Sequence, residues 1–479
     1  METVGEQREA LHRELERDLG KGLFAKLELD RGGFGRRGDR RGPGGPGRGF
    51  RGPGRGGPVT PLRPQGRSAF VHTDPATGTT SLFDFVNIAP RKSGYKVRLH
   101  KDRMLDGMRT INVLYEPDER TCINEPLAYD LYRAAGNATP RAGYLRVVID
   151  GNLVGYHFWF EQVNGSFLRH NEIGDKGNLY KVTWQGSSGA SEFTPEDLRP
   201  DRRSDVVRRY EKKSNLHEGY EDLIELVEAL EGAEGNDRKM WELIEERFDV
   251  ENVINYFAAN SLLSHWDGFF NNYYLYHDTK RDKWMMFPYD QDSTWSQRPS
   301  DESLIRMPLN FGAADAVRPG GGRGFGFGFG RGPEPGSRDR DRGRPGGRED
   351  SRDDRPAPGA NRDRGFGGRG FGWWRDGGEI SKPLLANPEF RKRFLARLQE
   401  LTGTVFTEGD FGTRIANAEE LLKTEVILRA RDRKLEEQNA VGELRDIMQS
   451  MRSHLVARRE FIISELKNLA AAQPTAGGD

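Results

Sequence analysis

The chain has 479 residues, and its 74 lysines and arginines are matched by 74 aspartates and glutamates, so no whole-chain excess of charge argues for a nucleic-acid or membrane partner. Hydrophobic residues make up 35% and glycine fills 60 positions, which leaves room for about two or three domains but excludes a core through the full length; roughly 350 residues have the composition of a globular fold. A lone cysteine, Cys122, excludes an internal disulfide framework and a cysteine-built zinc site, and no apolar run approaches the roughly 18–20 residues that span a bilayer.

Residues 1–30 read as a charged amphipathic helix without the apolar stretch of a secretory leader. From this start the expectation is a chain with no export address, cytoplasmic by default; an earlier start would allow secretion or display at the cell surface. Residues 31–67 carry many arginines and one acid, Asp39, and cannot bury enough apolar surface to offset ordering, so they read as a disordered Gly/Arg/Pro-rich linker. The globular domain is expected over 68–470. In it Tyr95, Val97 and Leu99 alternate with Lys96 and Arg98, the period of a half-buried strand whose other face presents two cations suited to phosphate.

A helix is expected over 125–135, with Pro126 in its first turn and Gly136 past its end. Next comes a hairpin, 144–149 and 154–161, around Asp150-Gly151-Asn152. Residues 254–263 have the spacing of a buried helix. A second hairpin, 273–277 and 283–287, flanks a polar turn. Residues 318–378 mix Gly-Phe and Arg-Asp runs in near charge balance and read as a disordered insertion; Gly/Arg tracts of this kind also bind RNA through charge and stacking. Asn387-Pro388 opens a helix that Gly403 closes, helices over about 410–431 and 442–470 follow, and 471–479 read as a flexible tail.

The second hairpin gathers oxygen ligands at its open end. Counting across the turn sets Asn271 and Asn272 beside residues 288–290, with Asp267 before the first strand and Asp292 after the second. Such convergent oxygens suit a hard cation like Mg²⁺. Asp267 and Asn272 stand five apart, the step between the catalytic Asp and the metal-binding Asn of protein kinases, and Asp290 follows a hairpin later, as the other metal-binding Asp does there. His265 reads as an orienting group for Asp267 rather than a base. A surface hairpin with scattered acids and amides would carry the same residues with no chemistry.

HWDGFFNNYYLYHD (265–278) with KWMMFPYDQDSTW (283–295) resembles the signature of the spore coat protein H (CotH) kinase family. Supporting blocks are NEPLAYDLYRAAGNATPRAGYLRVVIDGNLVGYHFWFEQV (124–163), FLRHNEIGDKGNLYK (167–181) and NPEFRKRFLARLQELTGTVFT (387–407). The resemblance covers about residues 91–470, the Gly/Arg insertion excepted. It implies an α+β, atypical bilobal protein-kinase-like fold with a helical C-lobe, and a transferase that moves the γ-phosphoryl group of ATP to Ser or Thr of a protein substrate with Mg²⁺. It implies Asp267 as the base, Asn272 and Asp290 as metal ligands, and Asp292 as a ligand to a second ion or a brace for the loop. Glu125 becomes the ion-pair partner of Lys96 or Arg98, which position phosphates, and the backbone at Glu161 and Gln162, where the lobes would join, becomes the adenine contact. The glycine loop departs from the family pattern: no GxGxxG precedes Lys96, and Gly78-Thr79-Thr80-Ser81 stands in place of the usual Gly-Asn-Ser-Ser turn. Two other readings stay open, an inactive surface adhesin or coat-assembly scaffold and an RNA-binding protein with steeply salt-dependent affinity.

Overall fold

The computed structural model describes residues 25–29, 68–74, 77–91, 94–116, 119–149, 151–182, 209–296, 302–316, 374 and 376–472. The expected helix over 1–24, the linker 31–67 and almost all of the insertion 318–378 lie outside the described residues. Among the described residues the chain is a mixture of helices and several sheets, and no helix is long and apolar enough to cross a membrane.

The N-terminal part is built from strands β1 (Ala25–Leu29), β2 (Phe70–Thr73), β3 (Thr80–Phe83), β4 (Asn87–Arg91), β5 (Gly94–Arg98) and β6 (Thr110–Leu114), helix α1 (Glu119–Ala134), and strands β7 (Ala142–Ile149) and β8 (Asn152–Glu161). Six of these strands make one sheet in the order β1-β7-β8-β6-β5-β4, and β2 pairs with β3 alone. Alternation decides which face is covered. Val97, Ile111, Val113, Leu145 and Val147 are buried against Phe70, Phe83 and Val86, while Leu114, Tyr156 and Phe158 join the main core with Leu127, Ala128 and Leu131 of α1. Residues 25–29 were expected to be helical and are a strand paired parallel to β7; Ala-Lys-Leu-Glu-Leu alternates with period two, and the open edge of β7 supplies its ladder.

Helix α1 begins at Glu119, ahead of the expected start, with Pro126 inside it. Proline removes a donor there, but Cys122, Ile123 and Leu127 are buried around it, and that packing outweighs local propensity. The hairpin β7–β8 falls where expected, with Gly151 at φ +80° in its turn.

The remainder comprises α2 (Gly165–His170), β9 (Asn178–Val182), β10 (Tyr210–Lys212), α3 (Glu221–Gly232), α4 (Asp237–Arg247), α5 (Val250–Leu263), β11 (Tyr273–Asp278), β12 (Lys283–Pro288), α6 (Glu302–Ile305), α7 (Ser381–Ala386), α8 (Pro388–Gly403), α9 (Thr413–Asp432) and α10 (Glu437–Ala472). The last of these reaches two residues into the expected tail. A four-stranded sheet runs β10-β9-β11-β12. Helix α5 is buried on every side, as a helix apolar all round must be, and its amides are used: Asn252 Oδ1 accepts the Met286 amide at 2.7 Å and Asn255 Oδ1 accepts Arg397 Nε at 2.8 Å. The C-terminal helices reach the N-terminal sheet through a buried ion pair in which Arg146 of β7 donates Nε to both oxygens of Glu425 on α9 at 3.1 Å. Arg458 of α10, fully buried, donates to the carbonyls of Ser261, Ile305 and Met307 at 2.8, 2.9 and 2.7 Å.

Candidate active site

Asp267 sits in a short 3-10 turn, Trp266–Phe269, directly after α5. The helix stops because Ser264 takes a left-handed conformation, φ +52°, and its hydroxyl donates to the Leu304 carbonyl at 2.8 Å. The turn is then pinned by its backbone. The Gly268 carbonyl accepts Tyr256 Oη at 2.9 Å and Asn260 Nδ2 at 3.3 Å. Only glycine fits: a Cβ there would lie 2.3 Å from Asn260 Oδ1 and 2.8 Å from His265 Nδ1. His265 is wholly buried, its Nδ1 3.1 Å from Asn260 Oδ1 and 3.4 Å from Tyr132 Oη, and burial pulls its imidazole down to about 3. It therefore stays neutral and braces the turn, as an orienting group should.

The hairpin β11–β12 has the register Tyr273↔Pro288, which sets Asn272 against the turn at 289–290. There the Tyr289 amide donates to the Asn272 carbonyl at 3.1 Å. The Asn272 side chain is the hub: its Nδ2 donates to Asp267 Oδ2 at 2.7 Å and to the Asp290 carbonyl at 3.1 Å, and its Oδ1 accepts Asn271 Nδ2 at 3.0 Å. Asn272 and Asp290 both have positive φ, +55° and +56°. Asn and Asp tolerate that region, and such backbone geometry is held only where the surroundings over-determine it. Asp292 lies apart. Its side chain is exposed, accepting Ser293 Oγ at 3.2 Å, while its carbonyl accepts Asn124 Nδ2 of α1 at 3.4 Å.

A cavity of about 110 Å³ opens beside this cluster between the two sheets, with Arg91, Glu125, Tyr129, Glu161, Lys181 and Asp290 on its walls. Glu125 is buried well inside α1 rather than at its start. Lys96 and Arg98 are not on that wall. Lys96 pairs across the sheet with Asn112, burial lowers its pKa, and so do Arg91, Lys213 and Arg98 around it; among the described residues no ion pair joins it to Glu125. Arg98 is exposed. Among the described residues the cavity's cations are Arg91, which donates to Asn112 Oδ1 and lies over the Phe160 ring, and Lys181 of β9, whose Nζ stands 4.2 Å over the Tyr289 ring.

Glu161 lines the cavity, but its carboxylate is held by Arg141, with Nε–Oε2 at 2.9 Å and Nη2–Oε1 at 3.0 Å, and its amide donates to the Arg141 carbonyl at 2.8 Å. The Gln162 amide likewise donates to the Thr110 carbonyl at 3.1 Å, and its Nε2 reaches Tyr274 Oη at 3.0 Å. Side chain and amide of Glu161, expected at the adenine, are thus both committed to the sheet. Gly78 has φ +69° in the β2–β3 turn, away from the cavity wall, and residues 92–93, just before β5, lie outside the described residues.

Among the described residues no three His, Cys, Asp or Glu side chains converge on a metal-sized space. The Asn272 amide brings together one carboxylate, that of Asp267, and the backbone carbonyl of Asp290, and with Asp290 on the cavity wall this oxygen-rich set fits Mg²⁺, which takes one or two protein carboxylates and fills its other positions with water and phosphate oxygens.

The family model described as CotH kinase protein matches residues 86–462. Inner spore coat protein H of Bacillus subtilis (strain 168) is 23% identical over 231 residues, 48% of this chain and 59% of that protein. The chain therefore matches less than two thirds of the length of that curated relative.

Proposed function

Because the chain belongs to the CotH kinase protein family, we propose that it is an atypical protein kinase that transfers the γ-phosphoryl group of ATP to Ser or Thr of a protein, with Mg²⁺. One juxtaposition carries the reading. A single amide, Asn272, ties the carboxylate of Asp267 to the backbone of Asp290, and Asp290 lines a cavity whose walls also bear Glu125, Arg91 and Lys181. The placement of that cavity between the six-stranded sheet with α1 and the helical part with the four-stranded sheet supports the bilobal reading.

Asp267 is assigned as the group that orients the acceptor hydroxyl and takes its proton. It is half-buried at the surface of a pinned turn, with one oxygen held by Asn272, so little reorganisation accompanies the reaction. His265 is excluded from that role by its burial and by the weak basicity that burial gives its ring. Asn272 and Asp290 are assigned to the metal; when bound, Mg²⁺ supplies charge to offset the phosphates. Asp290→Asn removes the carboxylate assigned to the metal, and Mg²⁺-dependent ATP binding measured by calorimetry should be lost. Unchanged affinity in a folded variant would overturn the metal assignment.

A second reading rests on the cavity itself. At about 110 Å³ it is smaller than the roughly 300 Å³ at the lower end of small-molecule sites, so a nucleotide requires the two sheets to part. A protein that never opens would be a coat-assembly scaffold, as the name of the Bacillus relative suggests. Wild-type protein that binds no Mg·ATP and incorporates no phosphate would favour that scaffold.

A further inference from the structure

We propose that Lys181, from the four-stranded sheet, is the phosphate-positioning residue of this cavity, taking up the charge of a bound polyphosphate opposite Asp290. The inference rests on the kinase reading above for its substrate, but the geometry that carries it is independent of catalysis. Lys181 lies on β9 opposite Tyr274 of β11, and its ammonium stands over the ring of Tyr289, the residue just before Asp290. One turn thus fixes the cation and the metal-binding carboxylate together.

Among the described residues Lys181 Nζ has no hydrogen-bond acceptor and no ion pair, although the side chain is partly buried. Lys213, its cationic neighbour, is paired with Glu211, and Arg91 with Asn112. Burial, with Lys213 and Arg91, pulls the Lys181 ammonium down to about 8, against the pull of Asp290 and Glu211. A half-buried cation among cations, with three unused donors, is a site arranged for an anion that arrives from outside.

Among the described residues the six-stranded sheet brings Arg91 of β4 to the cavity wall but no lysine. The strand before α1 is β6, and at its position beside Lys96 and Phe160 stands Asn112, whose Oδ1 accepts Arg91 and whose Nδ2 is 3.5 Å from Gln162 Oε1. Kinases place their phosphate lysine on the strand before the helix that bears its glutamate. Here that strand carries an amide, and the lysine that reaches the cavity comes from the opposite sheet.

The test titrates the full chain with inorganic tripolyphosphate and with ATP, both in excess Mg²⁺, and with adenosine. Lys181→Met should weaken tripolyphosphate and ATP on the order of 10–100-fold, the loss of a charge-assisted hydrogen bond, and leave adenosine unchanged. Lys181→Arg should restore affinity to within a few-fold, and Lys96→Met should change it by less than about threefold. Lys181→Gln, closer in polarity, repeats the measurement should the methionine variant melt early. Tripolyphosphate affinity within twofold of wild type in folded Lys181→Met or Lys181→Gln overturns the assignment, as does an equal loss in Lys96→Met. Phosphate transfer with unchanged affinity in the Lys181 variants would leave the kinase standing and remove this inference. Tripolyphosphate binding that depends on Lys181 in a protein with no transferase activity would do the reverse, and a wild type that binds neither polyphosphate overturns both.

Discussion

Replacing Gly268 with alanine tests the rigidity of the turn that carries Asp267. The added Cβ would lie 2.3 Å from Asn260 Oδ1 and 2.8 Å from His265 Nδ1, both too close to persist. Neither neighbour moves freely. Asn260 and His265 are fully buried, and the Asn260 amide is engaged by Tyr132, by His265 at 3.1 Å and by the Gly268 carbonyl at 3.3 Å. A shift large enough to relieve the clash breaks one or two of these bonds, each costing about 1–3 kcal/mol when a buried group is left unsatisfied, and overpacking alone costs about 1–3 kcal/mol. One relaxation serves both, so the expected loss is about 2–5 kcal/mol, read by equilibrium urea unfolding. Because Asp267 is the adjacent residue, a displacement of about 1 Å should also lower phosphate transfer on the order of 100-fold. In an Asn260→Ala background the same substitution should cost less than in the wild type, since the closer of the two clashing atoms is gone and only His265 Nδ1 remains. A loss below about 0.5 kcal/mol with undiminished transfer would refute the picture of a braced turn.

Three further outcomes follow from contacts away from the turn. Arg146→Met strands the buried Glu425 carboxylate and should cost about 3–5 kcal/mol, with most of it recovered in Arg146→Met/Glu425→Leu; an unrecovered double variant would mean that the pair does more than join α9 to β7. Burial pulls the His277 imidazole down, but hydrogen bonds to Asp222 and Asp282, 2.9 Å each, prevail and raise it above its ordinary 6.5. Because the folded value is the higher one, this contribution is complete below about pH 6.5 and is lost as pH rises through the folded value. The melting-temperature gap between wild type and His277→Asn should therefore be wider near pH 6 than near pH 9, and equal gaps would contradict the assignment. Asp292→Asn, at an exposed position, should leave Mg·ATP affinity within about twofold, whereas a loss matching that of Asp290→Asn would place its side chain in the metal shell.

The parts of the fold legible in the sequence were the local ones. The second hairpin falls within one residue of its expected ends because two β-rich runs and a polar turn lie side by side in the chain, and its register brings Asn272 to Asp290 without help from the rest of the molecule. The α8 start was equally plain, since Asn387 caps the Glu389 and Phe390 amides through its side chain. Where distant chain decides, the reading failed. Pro126 looked like a first-turn proline, but the buried Cys122 and Ile123 extend α1 beyond it. Alternation placed Lys96 and Arg98 on the correct face of β5, yet could not show that Arg91 lines the cavity and they do not. Lys181 was hidden because its place on the cavity wall depends on β9 pairing with β11 across a long intervening segment, a register with no local signature.

Single-turnover transfer of labelled phosphate from ATP, by wild type and by Asp267→Asn with matching circular dichroism, bears most directly on the proposed chemistry. Removing a positioned base should lower the transfer rate by about two to four orders of magnitude while Mg·ATP affinity stays within a few-fold. Undiminished transfer in the variant would exclude Asp267 as the base, and absence of transfer by the wild type to any of several Ser/Thr-rich proteins would contradict the kinase itself.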